Sequence, residues 1–311
     1  MPLISIIIPN YNGAEHLETS LRSINQQTFS DYEIIVVDNG SSDNSLSLIN
    51  TQHQGVIVYR FNENRGFAAA VNHGIKNSKG RYIALLNNDI ELDSQWLAKL
   101  AEAIECDNEL GSVACKMLNY YERTIIDAAG DVLTKAGNTI GRGSGEKDTG
   151  QYNVAEYVFG ACAGAGLYRR EVFEKVGLYD EDYFAWFEDA DHSFRSQMTG
   201  YKCLYVPSAL CYHKRGATAK KMSELSVRLH ARNHLYYLII NIPAKMFWNH
   251  CLFIIASRIR NWTTIVLQGD GKALLWAFGR IFLELPKILE KRNRVQKSRS
   301  VSMSYLRAQC K

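Results

Sequence analysis

Four short apolar runs, separated by amphipathic or polar segments, constrain the fold of this chain most strongly. The runs are rich in β-branched residues and predict buried strands at residues 3–9, 32–37, 56–61 and 82–86. Between the first two, Leu17, Leu21 and Ile24 recur at helical spacing, and residues 66–76 also have a helical composition. Strands that alternate with helices predict an α/β fold, in which a mostly parallel central sheet carries helices on both faces.

Polar loops follow three of these strands at the point where each strand ends. Ligands of such sheets bind beyond the carboxyl ends of the strands, so the loops together predict a nucleotide site. Any single loop could instead be an ordinary turn, because turns favour Asn, Asp and Gly. The loops read Asn10-Tyr11-Asn12, Asp38-Asn39-Gly40-Ser41-Ser42-Asp43 and Asn87-Asn88-Asp89.

Charge is divided unevenly along the chain. Residues 1–213 hold 17 Lys/Arg and 28 Asp/Glu, whereas residues 214–311 hold 19 Lys/Arg and 4 Asp/Glu. An acidic body joined to a basic tail predicts two surfaces with different partners. A basic tail can bind phosphates of a membrane or of nucleic acid, but no recognised nucleic-acid motif accompanies this one. We therefore expect a membrane surface as partner and no nucleic acid.

The tail changes character from about residue 223. Its apolar stretch at residues 247–256 is cut short by Arg258 and is briefer than the roughly 20 apolar residues of a transmembrane helix. Basic amphipathic helices with Trp248, Trp262 and Trp276 fit an interfacial membrane helix, and the alternative is a helical appendage packed on the core. We expect a catalytic region at residues 1–220 and a basic helical region at residues 221–311.

The seven cysteines are scattered and show no Cys-x-x-Cys spacing. This pattern is typical of a reducing compartment rather than of a disulfide framework or a structural zinc site. A predicted strand begins at Leu3 with no basic and apolar leader before it. The expected location is the cytoplasm, peripheral on the inner face of the cell membrane.

A further motif, Trp186-Phe187-Glu188-Asp189-Ala190-Asp191, places carboxylates at the start of a predicted helix. With the three loops, it resembles the inverting family 2 glycosyltransferases of GT-A fold, particularly bacterial rhamnosyltransferase-type members that build surface polysaccharides. The resemblance covers residues 3–218 well and the tail more loosely. It implies a nucleotide-diphospho-sugar donor, with dTDP-L-rhamnose as the best guess, and a glycan or polyprenyl-linked acceptor.

The resemblance implies that Asp189 is the catalytic base and that Glu188 belongs to the same catalytic pair. The Asp189 carboxylate would accept the acceptor's proton while the acceptor oxygen attacks the anomeric carbon opposite the leaving diphosphate, which inverts the configuration. Crowded acidic neighbours can raise a carboxyl pKa and make it a better base. Such a cluster can also be only a helix cap.

The resemblance also implies contacts to the donor. Residues of the first loop match those that lie against the base and ribose, and Asp38 matches an aspartate that accepts the imide N–H of a pyrimidine. Arg65 could contact phosphate and Asn72 the nucleotide, although either could be a structural cap or a surface residue. The predicted donor-binding residues are Pro9, Asn10, Tyr11, Asn12, Asp38, Asn39, Asn64, Arg65, Asn72, Asn88 and Asp89.

A divalent metal, Mg²⁺ or Mn²⁺, is implied at Asp89 and His213. The family motif Asp-x-Asp reads Asn87-Asn88-Asp89 here, so one carboxylate remains and the site should be weak without the donor. His213 corresponds to a family histidine after the last core strand, and imidazole suits Mn²⁺ better than Mg²⁺. Lys214 and Arg215 could also meet the diphosphate.

Several alternatives remain at this stage. The donor could be another UDP- or dTDP-sugar. A sugar-1-phosphate nucleotidyltransferase has a similar sheet, but residues 9–13 lack its basic Gly-rich phosphate loop. No G-x-G-x-x-G follows the first strand, which disfavours a dinucleotide-dependent dehydrogenase. A non-enzymatic membrane-tethered module is least favoured, because the Glu188-Asp189 pair is intact.

Overall fold

The computed structural model describes residues 1–53, 55–214 and 224–311. Its strands are β1 Ile4–Asn10, β2 Tyr32–Asp38, β3 Ile57–Arg60, β4 Tyr82–Leu86, β5 Ile90–Leu92, β6 Leu110–Asn119, β7 Ile126–Ala129, β8 Asp131–Leu133, β9 Thr139–Gly141, β10 Glu156–Val158, β11 Ala165–Arg169 and β12 Lys202–His213. Its helices are α1 Ala14–Asn25, α2 Ser45–Gln52, α3 Phe67–Asn77, α4 Trp96–Glu105, α5 Arg170–Val176, α6 Glu188–Met198, α7 Glu224–Asn241, α8 Ala244–Leu267, α9 Gly271–Lys297 and α10 Met303–Ala308.

Ten strands form one sheet in the order β10-β12-β6-β11-β4-β1-β2-β3, with β5 on β12 and β7 on β6. The four strands β3-β2-β1-β4 are parallel to one another. Beyond β4 the sheet is mixed, because β11 runs antiparallel to both β4 and β6. The predicted α/β class, with strands and helices alternating through the first 86 residues, is confirmed.

The alternating side chains of β1 explain why helices cover both faces of the sheet. Ile6 and Ile8 pack with Leu17 and Ile24 of α1 in one buried cluster. Ile7 points to the other face and packs with apolar residues of α3. Each fully buried side chain of this size contributes about 1.5–3 kcal/mol, so the pattern specifies both layers.

The tail forms helices α7–α10, and the predicted boundary at residue 220 lies outside the described residues, as does Arg215. Tyr236 and Ile240 of α7 share a buried cluster with Tyr183 and Phe194, so these helices pack on the segment that carries α6. In the described part of the chain, no helix is long and apolar enough to cross a bilayer.

The three tryptophans expected at a membrane surface differ in their surroundings. Trp248 is 72% exposed. Trp262 and Trp276 instead pack against a small apolar cluster formed by α7 and α9, and Trp262 makes an edge contact with Phe278. Only Trp248 therefore lies on an open surface, because the other two rings fill the space between the tail helices.

Candidate functional site

The ends of β1 and β2 bring the first two polar loops together. Asn10 and Asp38 are register partners in the parallel ladder, so their side chains leave the sheet at the same edge. Asn10 Nδ2 donates to Asp38 Oδ1 at 3.2 Å, and the backbone N–H of Ser41 donates to Asp38 Oδ2 at 3.1 Å. Asp38 is fully buried, and each of its carboxyl oxygens accepts one of these hydrogen bonds.

The third loop joins the same network. Asn88 Nδ2 donates to Asn10 Oδ1 at 2.8 Å, which links the end of β4 to the end of β1. Asn12 has a left-handed backbone, with φ of 49°, and its side-chain oxygen accepts from the N–H of Ser42 at 2.8 Å. Tyr11 is half-exposed beside this network. Of the predicted donor residues, Pro9, Asn10, Tyr11, Asn12, Asp38 and Asn88 therefore lie at one edge of the sheet.

Asn39, Asn64 and Arg65 form a second cluster beside the end of β2. The Asn39 amide donates to Asn64 Oδ1 at 3.0 Å and accepts from the backbone N–H of Arg65 at 2.8 Å. The Arg65 guanidinium packs over the Phe61 ring, at 4.8 Å from its centroid, and the side chain is exposed. Asn39 and Asn64 thus hold the loop, and Arg65 has a charged group free to meet a ligand.

Asn72 does not fit its predicted contact with the nucleotide. Its amide donates to the Tyr179 carbonyl at 2.9 Å and to Glu181 Oε1 at 3.0 Å, and its oxygen accepts from the Tyr179 N–H at 3.0 Å. The side chain is buried with both of its polar atoms engaged. The structure therefore corrects this prediction: Asn72 ties α3 to the segment that precedes α6.

Asp89 and His213 meet because β12 pairs with β5 and places His213 opposite Ile90. His213 Nε2 lies 3.3 Å from Asp89 Oδ2, and Nδ1 lies 2.5 Å from Asp127 Oδ2. Burial lowers the pKa of His213, but hydrogen bonds with the two carboxylates outweigh that effect and raise the pKa to about 9. For Asp89, burial acts in the opposite direction and raises the pKa. The hydrogen bond and charge of His213 outweigh the effect of burial, so the Asp89 pKa falls below its usual value.

Sequence reasoning missed Asp127, which fixes the His213 ring. The signal was available, because Asp127 is a lone carboxylate within the apolar strand β7, and such residues are seldom buried without a partner. A carboxylate that holds one imidazole nitrogen directs the other nitrogen toward a ligand. The triad Asp89–His213–Asp127 is therefore oriented as a unit.

The residues around Asp89 fit a divalent cation that is shared with a substrate. Asp89 Oδ1 and Asn87 Oδ1 are buried and lack a hydrogen-bond partner within the described structure. A buried oxygen without a partner is costly, and oxygen is the ligand that Mg²⁺ and Mn²⁺ take. No group of three or more His, Cys, Asp or Glu residues among residues 1–53, 55–214 and 224–311 is arranged to hold a metal. His213, with its pKa of about 9, would have to lose the Nε2 proton before it could hold a metal, and Asp89 and His213 alone would leave most ligand positions to the substrate.

Glu188 and Asp189 open α6 as predicted, and the two carboxyls differ in their surroundings. Glu188 is buried, and that burial, followed by the charge of Asp189, holds its pKa well above the usual range. Asp189 is half-buried, and burial also raises its pKa, although backbone N–H groups of Ala190 and Ala163 counteract part of the effect. Asp189 is therefore the more accessible of the two carboxyl groups.

The loop at residues 161–164 contacts the carboxylate of Asp189 and the backbone of Asn87, two residues before Asp89. The Ala163 N–H donates to Asp189 Oδ2 at 3.5 Å, while the Gly164 carbonyl accepts from the Asn87 N–H at 2.8 Å. Cys162 belongs to this loop, and burial, followed by the charges of Asp131, Asp189 and Asp127, raises the pKa of its thiol. Asp189 and the Asn87–Asp89 segment therefore lie on either side of this loop.

Asp131 was also missed by sequence reasoning. Burial raises the pKa of its carboxyl to about 8, with a further contribution from the charge of Asp189. Asp131 begins β8, whose hairpin with β9 appears in the sequence only as a Gly-rich segment. Its position near Asp189 follows from tertiary packing rather than from any local pattern.

Comparison with known proteins places this geometry in a family. The sequence profile of Glycosyl transferase family 2 matches residues 5–177. An uncharacterized glycosyltransferase of Rickettsia typhi is 34% identical over 194 residues, which are 60% of this chain and 58% of that protein. The uncharacterized glycosyltransferase EpsJ of Bacillus subtilis is 33% identical over 190 residues, 58% of this chain and 52% of EpsJ. The chain matches little more than half the length of these relatives.

Two solved structures share the fold at low sequence identity. A mannosyltransferase from Pyrobaculum calidifontis, in complex with GDP-Man and Mn²⁺, has a TM-score of 0.56 and 17% identity, covering 99% of this chain and 78% of that one. GalNAc-T7, with UDP, GalNAc and Mn²⁺, has a TM-score of 0.65 and 18% identity, covering 92% and 58%. These two similarities show a shared fold. The profile match shows that the chain belongs to glycosyl transferase family 2.

Proposed function

We propose that this chain is an inverting glycosyltransferase that moves a sugar from a nucleotide-diphospho-sugar to a hydroxyl of a glycan or polyprenyl-linked acceptor. The observation that carries this proposal is the arrangement around the loop at residues 161–164. On one side lies Asp189, and on the other lie Asn87 and the Asp89–His213 pair. A base and a diphosphate site must face one another in such a reaction.

The donor's nucleoside would lie at the ends of β1 and β2. Asp38 retains acceptor capacity beyond its bonds with Asn10 and Ser41, because an ionised carboxylate offers about four lone-pair sites. An imide N–H of uracil or thymine suits that capacity. We favour dTDP-L-rhamnose, with other UDP- and dTDP-sugars as alternatives, and the preferred donor should raise the melting temperature roughly with the logarithm of its excess over the dissociation constant.

The diphosphate and a divalent metal would lie beside Asp89 and His213. When bound, such a metal offsets the charge that develops on the leaving diphosphate. Asp127 holds His213 Nδ1, so Nε2 faces Asp89 and the ligand. The similar mannosyltransferase and GalNAc-T7 structures both contain Mn²⁺, which supports the same metal here.

Asp189 would act as the base. The acceptor oxygen forms a bond to the anomeric carbon, the bond from that carbon to the diphosphate oxygen breaks on the opposite face, and the acceptor proton passes to the Asp189 carboxylate. Burial and the charge of Asp189 raise the pKa of Glu188 well above its usual range, which disfavours a second charge beside the base. Asp189 is the more accessible of the two carboxyl groups and is therefore the one assigned to take the proton.

Replacement of Asp189 tests the proposal. Asp189→Asn keeps the shape of the side chain but removes its basicity, so release of nucleoside diphosphate from a panel of nucleotide sugars with Mn²⁺ should fall about 10²- to 10⁴-fold. Nucleotide affinity, measured by calorimetry, should stay within about twofold because Asp189 is not placed at the donor. Glu188→Gln is the matched control and should cost far less. A folded Asp189→Asn protein with undiminished turnover would remove the base assignment.

The tail supports contact with a membrane surface, where a polyprenyl-linked acceptor would reside. Large apolar residues spaced three or four apart form one exposed stripe on each of α8 and α9, and exposed basic residues such as Lys272 and Arg260 flank them. A cavity of about 430 Å³ shares Trp248, Ile255 and Leu289 with these stripes and suits a hydrocarbon chain. The stripe residues are Trp248, Leu252, Ile255, Ile259, Leu275, Phe278, Phe282, Leu285 and Leu289.

Vesicle sedimentation tests this contact. The protein should pellet with vesicles containing anionic lipid and bind less to zwitterionic ones, because apolar burial and basic charge act together. Leu252→Ser with Phe282→Ser, both highly exposed, should lower vesicle affinity about tenfold without changing the melting temperature. Thr263→Ala, exposed on α8, is the control. Wild-type protein that remains in the supernatant with every vesicle would contradict membrane contact.

A further inference from the structure

The turn that leads into Asp189 has an unusual backbone. Phe184, Trp186 and Phe187 have φ values of 65°, 67° and 73°, in the left-handed region that side chains other than glycine seldom adopt. Three such residues within four positions form a strained segment, which persists only if its surroundings hold it. No glycine relieves the strain between residues 184 and 187. The conformation must therefore be imposed from outside the segment.

Asn233, in the middle of α7, supplies that restraint. The side chain is fully buried, and its Nδ2 donates to the carbonyls of Tyr183 at 2.8 Å, Ala185 at 2.8 Å and Trp186 at 3.0 Å. The NH₂ group of one amide thus donates to three carbonyl oxygens of the turn. This arrangement requires the turn to fold around the amide, since an extended segment cannot aim three carbonyls at one point.

The orientation of the Asn233 amide is itself fixed. The neighbouring Arg232 donates to Asn233 Oδ1 from Nε at 2.9 Å and from Nη2 at 2.7 Å. Since the guanidinium can only donate, the amide oxygen faces Arg232 and the NH₂ group faces the turn. Arg232 therefore orients the Asn233 side chain so that its NH₂ group donates to the turn.

The same helix also holds the far side of Asp189. Asn241 Nδ2 donates to Asp191 Oδ1 at 2.7 Å, and Asp191 is buried with its other oxygen on Arg195. Between these contacts, the Phe187 ring packs on His234 of α7 at 4.8 Å between ring centroids. Helix α7 thus fixes the chain immediately before and immediately after Asp189.

We propose that Asn233 is a positioning residue that sets the direction of the Asp189 carboxylate by holding the turn at residues 183–187 in its strained conformation. This inference rests on the proposed role of Asp189. Few contacts fix the carboxylate otherwise: its Oδ1 accepts from Ala190 within the same helix, and the bond from Ala163 is long, at 3.5 Å. A turn that relaxes would carry Asp189 with it, and a displacement of 1 Å can cost about 10²-fold in rate.

Two substitutions of Asn233 test the proposal. Asn233→Ala removes the amide, and Asn233→Asp keeps its shape but presents oxygens in place of the N–H donors. Both should lower kcat for nucleotide-sugar turnover about 10²-fold while the affinity for nucleoside diphosphate changes less than about twofold. The matched control is Val227→Ala, a half-buried residue of the same helix that lies outside the cluster containing Tyr183, and its kcat should stay within about threefold of wild type.

A second readout does not depend on turnover. Trp186 lies in the turn, so its ¹⁹F signal in 5-fluorotryptophan-labelled protein, identified by its loss in Trp186→Phe, reports the turn directly. The signal should shift or broaden in both Asn233 variants and stay unchanged in Val227→Ala. An unchanged signal overturns the restraint on the turn, and a shifted signal with normal kcat overturns the positioning role. If Asp189→Asn retains turnover while the Trp186 signal still responds to Asn233, the base assignment has failed and the restraint stands without a catalytic role.

Discussion

The donor side and the base side of this site are built in different ways. On the donor side, Asn10, Asp38 and Asn88 sit at or just beyond the ends of adjacent parallel strands and bond directly to one another. On the base side, Asp189 follows a strained turn that is held by Asn233 from a helix of the basic tail. A sheet edge fixes its own side chains, whereas an irregular turn needs support from elsewhere in the chain.

This difference predicts which quantity each side controls. Changes at the sheet edge should weaken donor or metal binding, because the strands keep their positions when one side chain is lost. Changes around the turn should lower the rate with little effect on donor binding, because they move the base and leave the sheet intact. The following substitutions test that separation, beginning with the largest expected effect.

Loss of Asp89 should have the largest effect on the donor side. Asp89→Ala removes the one carboxylate of the Asn87–Asp89 loop, so Mn²⁺-dependent turnover should fall on the order of 10³-fold. Calorimetry should show that Mn²⁺ no longer strengthens nucleoside diphosphate binding. Asp127→Asn weakens the bond that orients His213 and should cost about 10- to 100-fold. A larger loss for Asp127→Asn than for Asp89→Ala would reverse the assigned roles.

Asn10 should affect binding rather than rate. Asn10→Ala removes the amide that joins Asp38 to Asn88, so KM for the donor should rise roughly 10- to 50-fold with kcat within about threefold. Steady-state kinetics over a range of donor concentrations would separate the two constants. Ser47→Ala, exposed on α2, is a control that should change neither. A fall in kcat at unchanged KM would break the division between the two sides.

Gly66 lies where the two sides touch. A Cβ at this position would approach the Phe184 carbonyl oxygen to 2.5 Å, and the backbone φ of 92° disfavours a side chain. Gly66→Ala should destabilise the fold by about 1–3 kcal/mol and lower kcat roughly tenfold by displacing the turn. Gly145→Ala is the matched control, since its φ is 84° and its Cβ would meet nothing within 4 Å. Urea denaturation and turnover assays on both variants would measure these effects. An equal loss of rate in the two variants would contradict a specific contact between Gly66 and the turn.

Asp131 should give the smallest effect on rate and a pH-dependent effect on stability. Its folded pKa of about 8 lies above the unfolded value of 3.8, so the folded state keeps a proton that the unfolded state releases. Wild-type stability therefore falls as pH rises through this window, by at most about 1.4 kcal/mol per pH unit. Asp131→Asn should become progressively more stable than wild type from pH 4 to pH 8 and level off above. A difference in unfolding free energy that does not change with pH would contradict the raised pKa.

The α/β alternation and the meeting of the first loops could both be predicted from the order and spacing of residues. Buried β-branched runs are a local signal, and neighbouring parallel strands necessarily bring their carboxyl ends to one edge, so Asn10, Asp38 and Asn88 follow from order and periodicity alone. The helix that starts at Glu188 was equally visible.

Tertiary structure alone decided the remaining contacts. The partners of Asn72, His213 and the turn before Asp189 are Tyr179, Asp127 and Asn233, each far away in the chain. A pattern of period two or 3.6 reports which face of an element is buried, but it carries no information about which distant polar group a buried amide or imidazole will meet. Such groups must find a partner, and only the packing of strands and helices selects which one.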